Sequence, residues 1–242
     1  MSGGIPMKAK LGALGCALLL VAGWAGQSQA KSDSGTRKSR DAAPAAHGQR
    51  LDTSVLRAGH ADYISFATPA KLAKARAGSG GTVVVGVVEG FERGRRLFSF
   101  DDEPMNRVVM RVRVGETITG DSRYVYGGRA YFELWGGVGW ADPSERFRRA
   151  IPAGTPVVVF GATKFVPSDS RTQGVDDGHP KGTRVQSATH PQSLLFEESR
   201  TVRGQKQTRL VGGREDLDEF GTGWSRHATL EDLVAAMKRE LG

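Results

Sequence analysis

Cysteine is all but missing from this chain: Cys16 is the single one among 242 residues. It lies in an apolar stretch near the N-terminus, so the sequence beyond it holds no thiol. That excludes disulfides, thiolate nucleophiles, cysteine-bearing zinc sites and dithiol redox chemistry from the rest of the chain. The histidines are few and scattered. His47, His60, His179, His190 and His227 show neither H-x-H nor H-E-x-x-H spacing, so no metal site is indicated. There is no G-x-S-x-G nucleophile elbow. Gly78-Ser79-Gly80-Gly81 precedes a strand rather than a helix, so no helix N-terminus is offered to a phosphate and no cofactor is indicated. Ser225 stands two residues from His227, but triad partners are brought together by the fold and seldom by sequence adjacency. No catalytic residue is assigned.

What is present begins with an address. Lys8 and Lys10 precede an apolar run from Leu11 to about Gly26, and Ser28-Gln29-Ala30 places small residues at a cleavage site. This is the layout of a secretory signal peptide over residues 1–30. The run is short for a membrane span and contains four glycines. Cleavage after Ala30 predicts a mature N-terminus at Lys31, a cysteine-free mature chain without a transmembrane span, and a secreted or periplasmic, envelope-facing location. It also lowers the net charge of +8 by two, because Lys8 and Lys10 leave and no acid does. Residues 31–50 are polar and small, without apolar period, and read as a disordered leader.

From Leu51 to residue 242 the pattern is that of a single folded domain. Thr68-Pro69 followed by AKLAKARA predicts a short helix with Thr68 as N-cap. TVVVGVVEGFE at 82–92 predicts a central strand. RVVMRVRV at 107–114 alternates: Val108, Met110, Val112 and Val114 share a buried face, and Arg107, Arg111 and Arg113 the other. In RAYFELW at 129–135, Ala130, Phe132 and Leu134 point inward, with Arg129, Tyr131, Glu133 and Trp135 opposite. SERFRRAIP at 144–152 reads as a helical turn, PVVVFGATKF at 156–165 as another central strand, and SLLFEE at 193–198 and TRLVG at 208–212 as further strands. The glycine- and proline-rich stretch 166–192 reads as a long loop. Residues 221–227 read as a polar loop. Thr229 then caps a terminal amphipathic helix carrying Leu230, Leu233, Val234, Met237 and Leu241. Short strands, glycine turns and no βαβ alternation predict a mainly β fold, a small antiparallel barrel flanked by a short N-terminal helix and a C-terminal amphipathic helix.

The segments TVVVGVV at 82–88, VVMRVRVGETITG at 108–120, AYFELWGG at 130–137 and IPAGTPVVVF at 151–160 stand in an order that resembles a loose pattern in uncharacterised exported bacterial proteins. The resemblance covers about residues 66–160 and implies an oligonucleotide/oligosaccharide-binding-like (OB-like) barrel. Its elements are strands and turns, so it bears on fold and carries no catalytic residue.

The best functional signals are for binding. Tyr124, Tyr126, Tyr131, Phe132, Trp135 and Trp140 crowd one region. Tyr131 and Trp135 fall on the outer strand face and Trp140 in the loop that follows, where aromatics can stack on bases or sugars unless the terminal helix or the long loop covers that face. With Arg111 and Arg113 they form the candidate ligand site. Basic clusters at Arg93/Arg95/Arg96, Arg146/Arg148/Arg149 and Arg200/Arg203/Lys206/Arg209 favour polyanions such as nucleic acid, wall polymers or anionic lipid headgroups, and the expected partner is a cell-wall polymer, glycan or other polyanion. Acids at Glu92, Glu145, Glu197 and Glu198 dilute them, and no dedicated nucleic-acid motif is present. The expected function is that of an exported, non-catalytic binding or envelope-associated domain. The alternatives are an exported hydrolase using Asp101 and Asp102 or Asp176 and Asp177, and a structural protein-interaction module presenting 166–192.

Overall fold

The β-branched run that begins at Thr82 builds one of the two longest strands of the computed structural model, which describes residues 50–57, 63–98, 103–164, 171–173 and 178–242, with backbone alone at 171–173. The signal segment, the leader up to residue 49, and Asp101, Asp102, Asp176 and Asp177 lie outside the described residues. The protein is mainly β. The described strands are β1 (Thr82–Phe98), β2 (Pro104–Gly120), β3 (Arg129–Val138), β4 (Pro156–Thr163), β5 (Arg171–Gln173), β6 (Val185–Ser187), β7 (Leu194–Val202) and β8 (Gln205–Gly212). The helices are α1 (Pro69–Gly78), α2 (Ser144–Ala150), α3 (Thr222–Ser225) and α4 (Leu230–Leu241).

β1 pairs antiparallel with β2 and β4, β2 with β3, and β4 with β6, while β3 and β6 run parallel. These pairings close a ring of five strands in the order β1-β2-β3-β6-β4. β7 and β8 extend from β4, and β5 adds to the far end of β1. The β1–β2 register shifts at several bulges, which bend and twist these long strands so that both can take part in a closed ring. Gly86 sits at one of them. A Cβ there would lie 2.1 Å from the Arg113 carbonyl oxygen, so only glycine fits.

The alternation read from the sequence sets the interior. Val108, Met110 and Val112 from β2 meet Ala130, Phe132 and Leu134 from β3, with Val84, Val88 and Phe91 from β1 and Val157 and Val159 from β4. Phe147 of α2, which lies between β3 and β4 in the chain, packs on Phe91 at 5.6 Å between ring centres. The opposite face of β1, β4 and β7 forms a second core, where Val83, Val158, Phe160 and Leu195 lie under α1 and α4. Both helices start as predicted. Thr68 Oγ1 accepts from the Lys71 N–H at 3.2 Å and Thr229 Oγ1 from the Asp232 N–H at 3.1 Å.

Three expectations need correction. The stretch 166–192 is not one loop: it holds β5 and β6, and β6 closes the ring. The sheet is not wholly antiparallel, because β3 and β6 pair in parallel through Tyr131↔Val185 to Glu133↔Ser187. Residues 221–227 are not a plain polar loop. They contain α3, and Trp224 is fully buried in the second core with its Nε1–H donating to the Phe66 carbonyl at 2.7 Å. β1, β2, β3, β7 and β8 also run longer than the apolar runs, because backbone pairing continues where the faces turn polar.

Candidate functional site

The outer face of β2 and β3 carries all the residues singled out for binding except Trp140, which follows β3. Its cross-strand rows are Arg107 with Trp135, Val109 with Glu133, Arg111 with Tyr131, and Arg113 with Arg129. Directly opposed residues project to the same side of a sheet. The face divides into a closed centre and two open ends.

The centre is built on Glu133, which is 2% exposed. Arg95 reaches it from β1 in a bidentate clasp, Nε to Oε2 at 2.7 Å and Nη2 to Oε1 at 2.8 Å. Arg107 Nε lies 3.5 Å away and Lys164 Nζ 3.3 Å. Burial pulls the Arg107 guanidinium below its usual value, and the Glu133 charge opposes that pull. Arg107 also lies over the Trp135 ring at 4.6 Å, so Trp135 is half-buried and already has a cation on its face. Tyr131 is 4% exposed. His179 packs against it at 6.2 Å between rings, and Val109 and Val185 complete the cover. Tyr131 points outward as the alternation requires, but it is no open platform, because the segment returning into β6 lies on it.

At one end stands Trp140, 61% exposed. Its ring meets Phe98 at 5.8 Å, and the Arg96 guanidinium lies 5.9 Å above it. Arg96 Nη2 donates to the Trp140 carbonyl at 2.7 Å, and Arg96 Nε to Asn106 Oδ1 at 3.2 Å. Asn106, nearly buried, in turn donates to the Gly139 carbonyl. Gly137 and Gly139 take positive φ of 95° and 119°, which lets the chain turn out of β3 and present the indole.

At the other end Glu89 gathers three arginines. Arg129 Nε donates to it at 2.8 Å, Arg111 Nε lies 3.1 Å away and Arg113 Nε 3.8 Å. Tyr126, 63% exposed, is bridged to Arg129 across the Gly127-Gly128 turn. Arg129, Glu89 and Tyr126 were not among the sequence-predicted site residues. The alternation of β3 already placed Arg129 on the Tyr131 face. Glu89 comes from a bulged stretch of β1, whose pairing no local pattern shows.

The remaining basic clusters are largely paired. Arg148 bonds Glu92 and Glu145, and Arg200 and Arg209 both bond Glu198, itself 2% exposed. Two open pockets lie away from the β2–β3 face. One of about 570 Å³ is lined by Arg50, Asp52, Arg57, Arg209 and Asp216, and one of about 630 Å³ by Val85, Glu116, Glu197, Val234 and Lys238. Their charges also pair, Arg57 with Asp216 at 2.7 Å and Lys238 with Glu116 at 2.5 Å. His227 Nε2 accepts from Arg226, so its imidazole is engaged by a cation rather than by Ser225. Among the described residues no group of three metal-ligating side chains converges, and no helix is long and apolar enough to cross a membrane. Comparison with protein-family models, curated proteins and solved structures gives no match to this chain.

Proposed function

We propose that the chain is an exported, non-catalytic binding module whose ring of strands is an OB-like barrel and whose ligand is a polyanion or acidic glycan. The fold reading is supported by the ring order β1-β2-β3-β6-β4 and by the helix between β3 and β4. In such barrels the outer face of the second and third strands is where oligonucleotides and oligosaccharides are held. Export is supported by the basic, apolar and small-residue layout of residues 1–30. One observation carries the binding reading: both ends of the β2–β3 face present an exposed aromatic in the neighbourhood of arginine, Trp140 under the Arg96 guanidinium and Tyr126 across a tight turn from Arg129. That pairing of ring and cation suits a ligand with flat faces and negative charge.

The test is a titration of the chain with single-stranded oligonucleotides, a sulfated glycan and an anionic wall polymer, followed by tryptophan fluorescence at several salt concentrations. At least one should bind, more weakly as salt rises. Trp140→Ala should weaken that binding about fivefold or more, the scale of one lost stacking contact. Binding to none of these polymers at low salt overturns the reading.

A further inference from the structure

The Glu89 cluster is unbalanced, and the imbalance points outward. Each guanidinium offers five N–H donors, whereas a carboxylate offers about four acceptor positions. Arg111, Arg113 and Arg129 share the one carboxylate of Glu89, and the shortest contact of each uses its Nε. Arg111 Nε is close to Glu89 but is not aligned to donate to it. The side chains of Arg111, Arg113 and Arg129 are 36%, 64% and 47% exposed, against 20% for Glu89. Donors and positive charge are therefore left over on the solvent side, held in place from below by the carboxylate. A bare carboxylate would be satisfied by one bidentate arginine.

The surroundings define what could complete the cluster. Arg113 and Arg129 are opposed across β2 and β3, and Tyr126 is opposed to Arg129 across the Gly127-Gly128 turn. The turn is tight: Tyr126 N–H donates to the Arg129 carbonyl at 2.8 Å and Arg129 N–H to the Tyr126 carbonyl at 3.0 Å, with φ of 56° and 74° at the two glycines. Glu89 stands on β1, Arg113 on β2, Arg129 on β3 and Tyr126 one spacing further on. At about 4.8 Å per spacing, the Glu89 carboxylate where the three Nε atoms gather and Tyr126 stand roughly 10–15 Å apart. That separation is too long for an acid attached directly to a sugar ring. It suits a phosphoryl group joined to a planar ring through a spacer. The next row closes the way along the face, because Tyr131 is 4% exposed under His179. This end of the face therefore has room for one unit beside the closed centre.

We propose that Arg111, Arg113 and Arg129, held by Glu89, form an oxyanion clamp for a nucleotide-like ligand whose ring stacks on Tyr126. The proposal rests on the binding-module reading and names its ligand at this end of the face. A free nucleotide and the phosphorylated end of a single strand share this chemistry, so both serve as probes.

The experiment is calorimetric titration of the full chain with adenosine 5′-monophosphate, inorganic phosphate, adenosine, glucuronate and a short 5′-phosphorylated single strand. The nucleotide should bind more tightly than phosphate, and both more tightly than adenosine or glucuronate. A 5′-phosphorylated strand binding better than its unphosphorylated twin identifies strand ends as ligands, and equal binding of the two identifies the free nucleotide. The double variant Arg113→Gln/Arg129→Gln, both exposed positions, should weaken nucleotide binding about tenfold or more with unchanged Tm. Tyr126→Ala should erase the advantage of nucleotide over phosphate. Glu89→Gln should loosen the three guanidiniums and weaken nucleotide and phosphate binding alike, leaving the advantage of nucleotide over phosphate that Tyr126→Ala erases. Nucleotide affinity unchanged in the double variant, or no better than that of phosphate in the parent, overturns the clamp. If the clamp fails on either count while polymers still bind the parent in a Trp140-dependent way, the binding-module reading stands. If no polymer binds the parent, that reading falls.

Discussion

Glu133 shows how much one side chain can organise on a sheet. It is a buried carboxylate clasped by Arg95 and approached by Arg107 and Lys164. Removing one member of a buried ion pair leaves the other charge in a medium that solvates it poorly, at a cost of about 3–5 kcal/mol. Glu133→Ala should therefore lower stability by that order, read as a fall in the urea midpoint at constant m value. The alternation in β3 made the outward direction of Glu133 and Tyr131 legible in the sequence. Cover by the long stretch 166–192 was an open alternative in the sequence, but which residues supply it was not legible. The cover comes from His179 and Val185, and the cations from Arg95 and Lys164, all distant in the chain. A period of two says which way a side chain points, and only the fold says what lies over it. Trp140 is the converse case: it follows two left-handed glycines past the end of a strand, and its exposure agrees with that local reading.

Elements were legible where their own residues determine them. α1 and α4 begin at a threonine whose hydroxyl caps the first turn, a bond made within four residues. Thr229→Ala removes that acceptor and should cost about 1 kcal/mol, seen as a lower Tm with unchanged helical signal in the folded state. β2 and β3 were legible because a long strand with one apolar face repeats its pattern several times. β6 was not. Val185-Gln186-Ser187 is too short to show a period, and its partner β3 is far away in the sequence. Its placement depends on two neighbouring strands that leave a gap one strand wide. α3 escaped notice for a similar reason: a four-residue turn is identified by the burial of Trp224, not by a repeating pattern.

For the molecule as a whole, the half-buried His190 and the buried Glu198 tie stability to pH. Burial, with the nearby charges of Arg76 and Arg214, pushes the His190 imidazole down to about 4. The ring is held neutral, since its Nδ1 accepts from the Gln192 N–H and its Nε2 faces the Ile64 carbonyl. The unfolded chain takes up that proton near 6.5, so the stability linked to neutral His190 is complete above pH 6.5 and is lost as pH falls towards 4. Burial raises the Glu198 carboxyl, but bonds from the Leu51 N–H, Arg209 and Arg200 outweigh it, and the net shift is downward from 4.5. Its contribution is present above 4.5 and fades as pH falls further. The urea midpoint should be flat between about pH 7 and 8, decline below about 6.5 and fall more steeply below about 4.5. His190→Gln should shrink the first decline to the part contributed by His227, which burial and Arg226 also hold below its usual value, and leave the second.

The ring also has a consequence in time. β1, β2 and β3 are joined in sequence and can assemble as a meander from local turns. Closure needs Tyr131 to find Val185, and the Leu51 N–H reaches Glu198, 147 positions away. Such distant pairings are entropically costly until most of the chain is already arranged. The protein should thus fold on a scale of about milliseconds to seconds, with the meander formed early and the short parallel strand docking late. Until it docks, the β3 and β4 edges that β6 will cover have no partner, and crowded chains could pair through them instead.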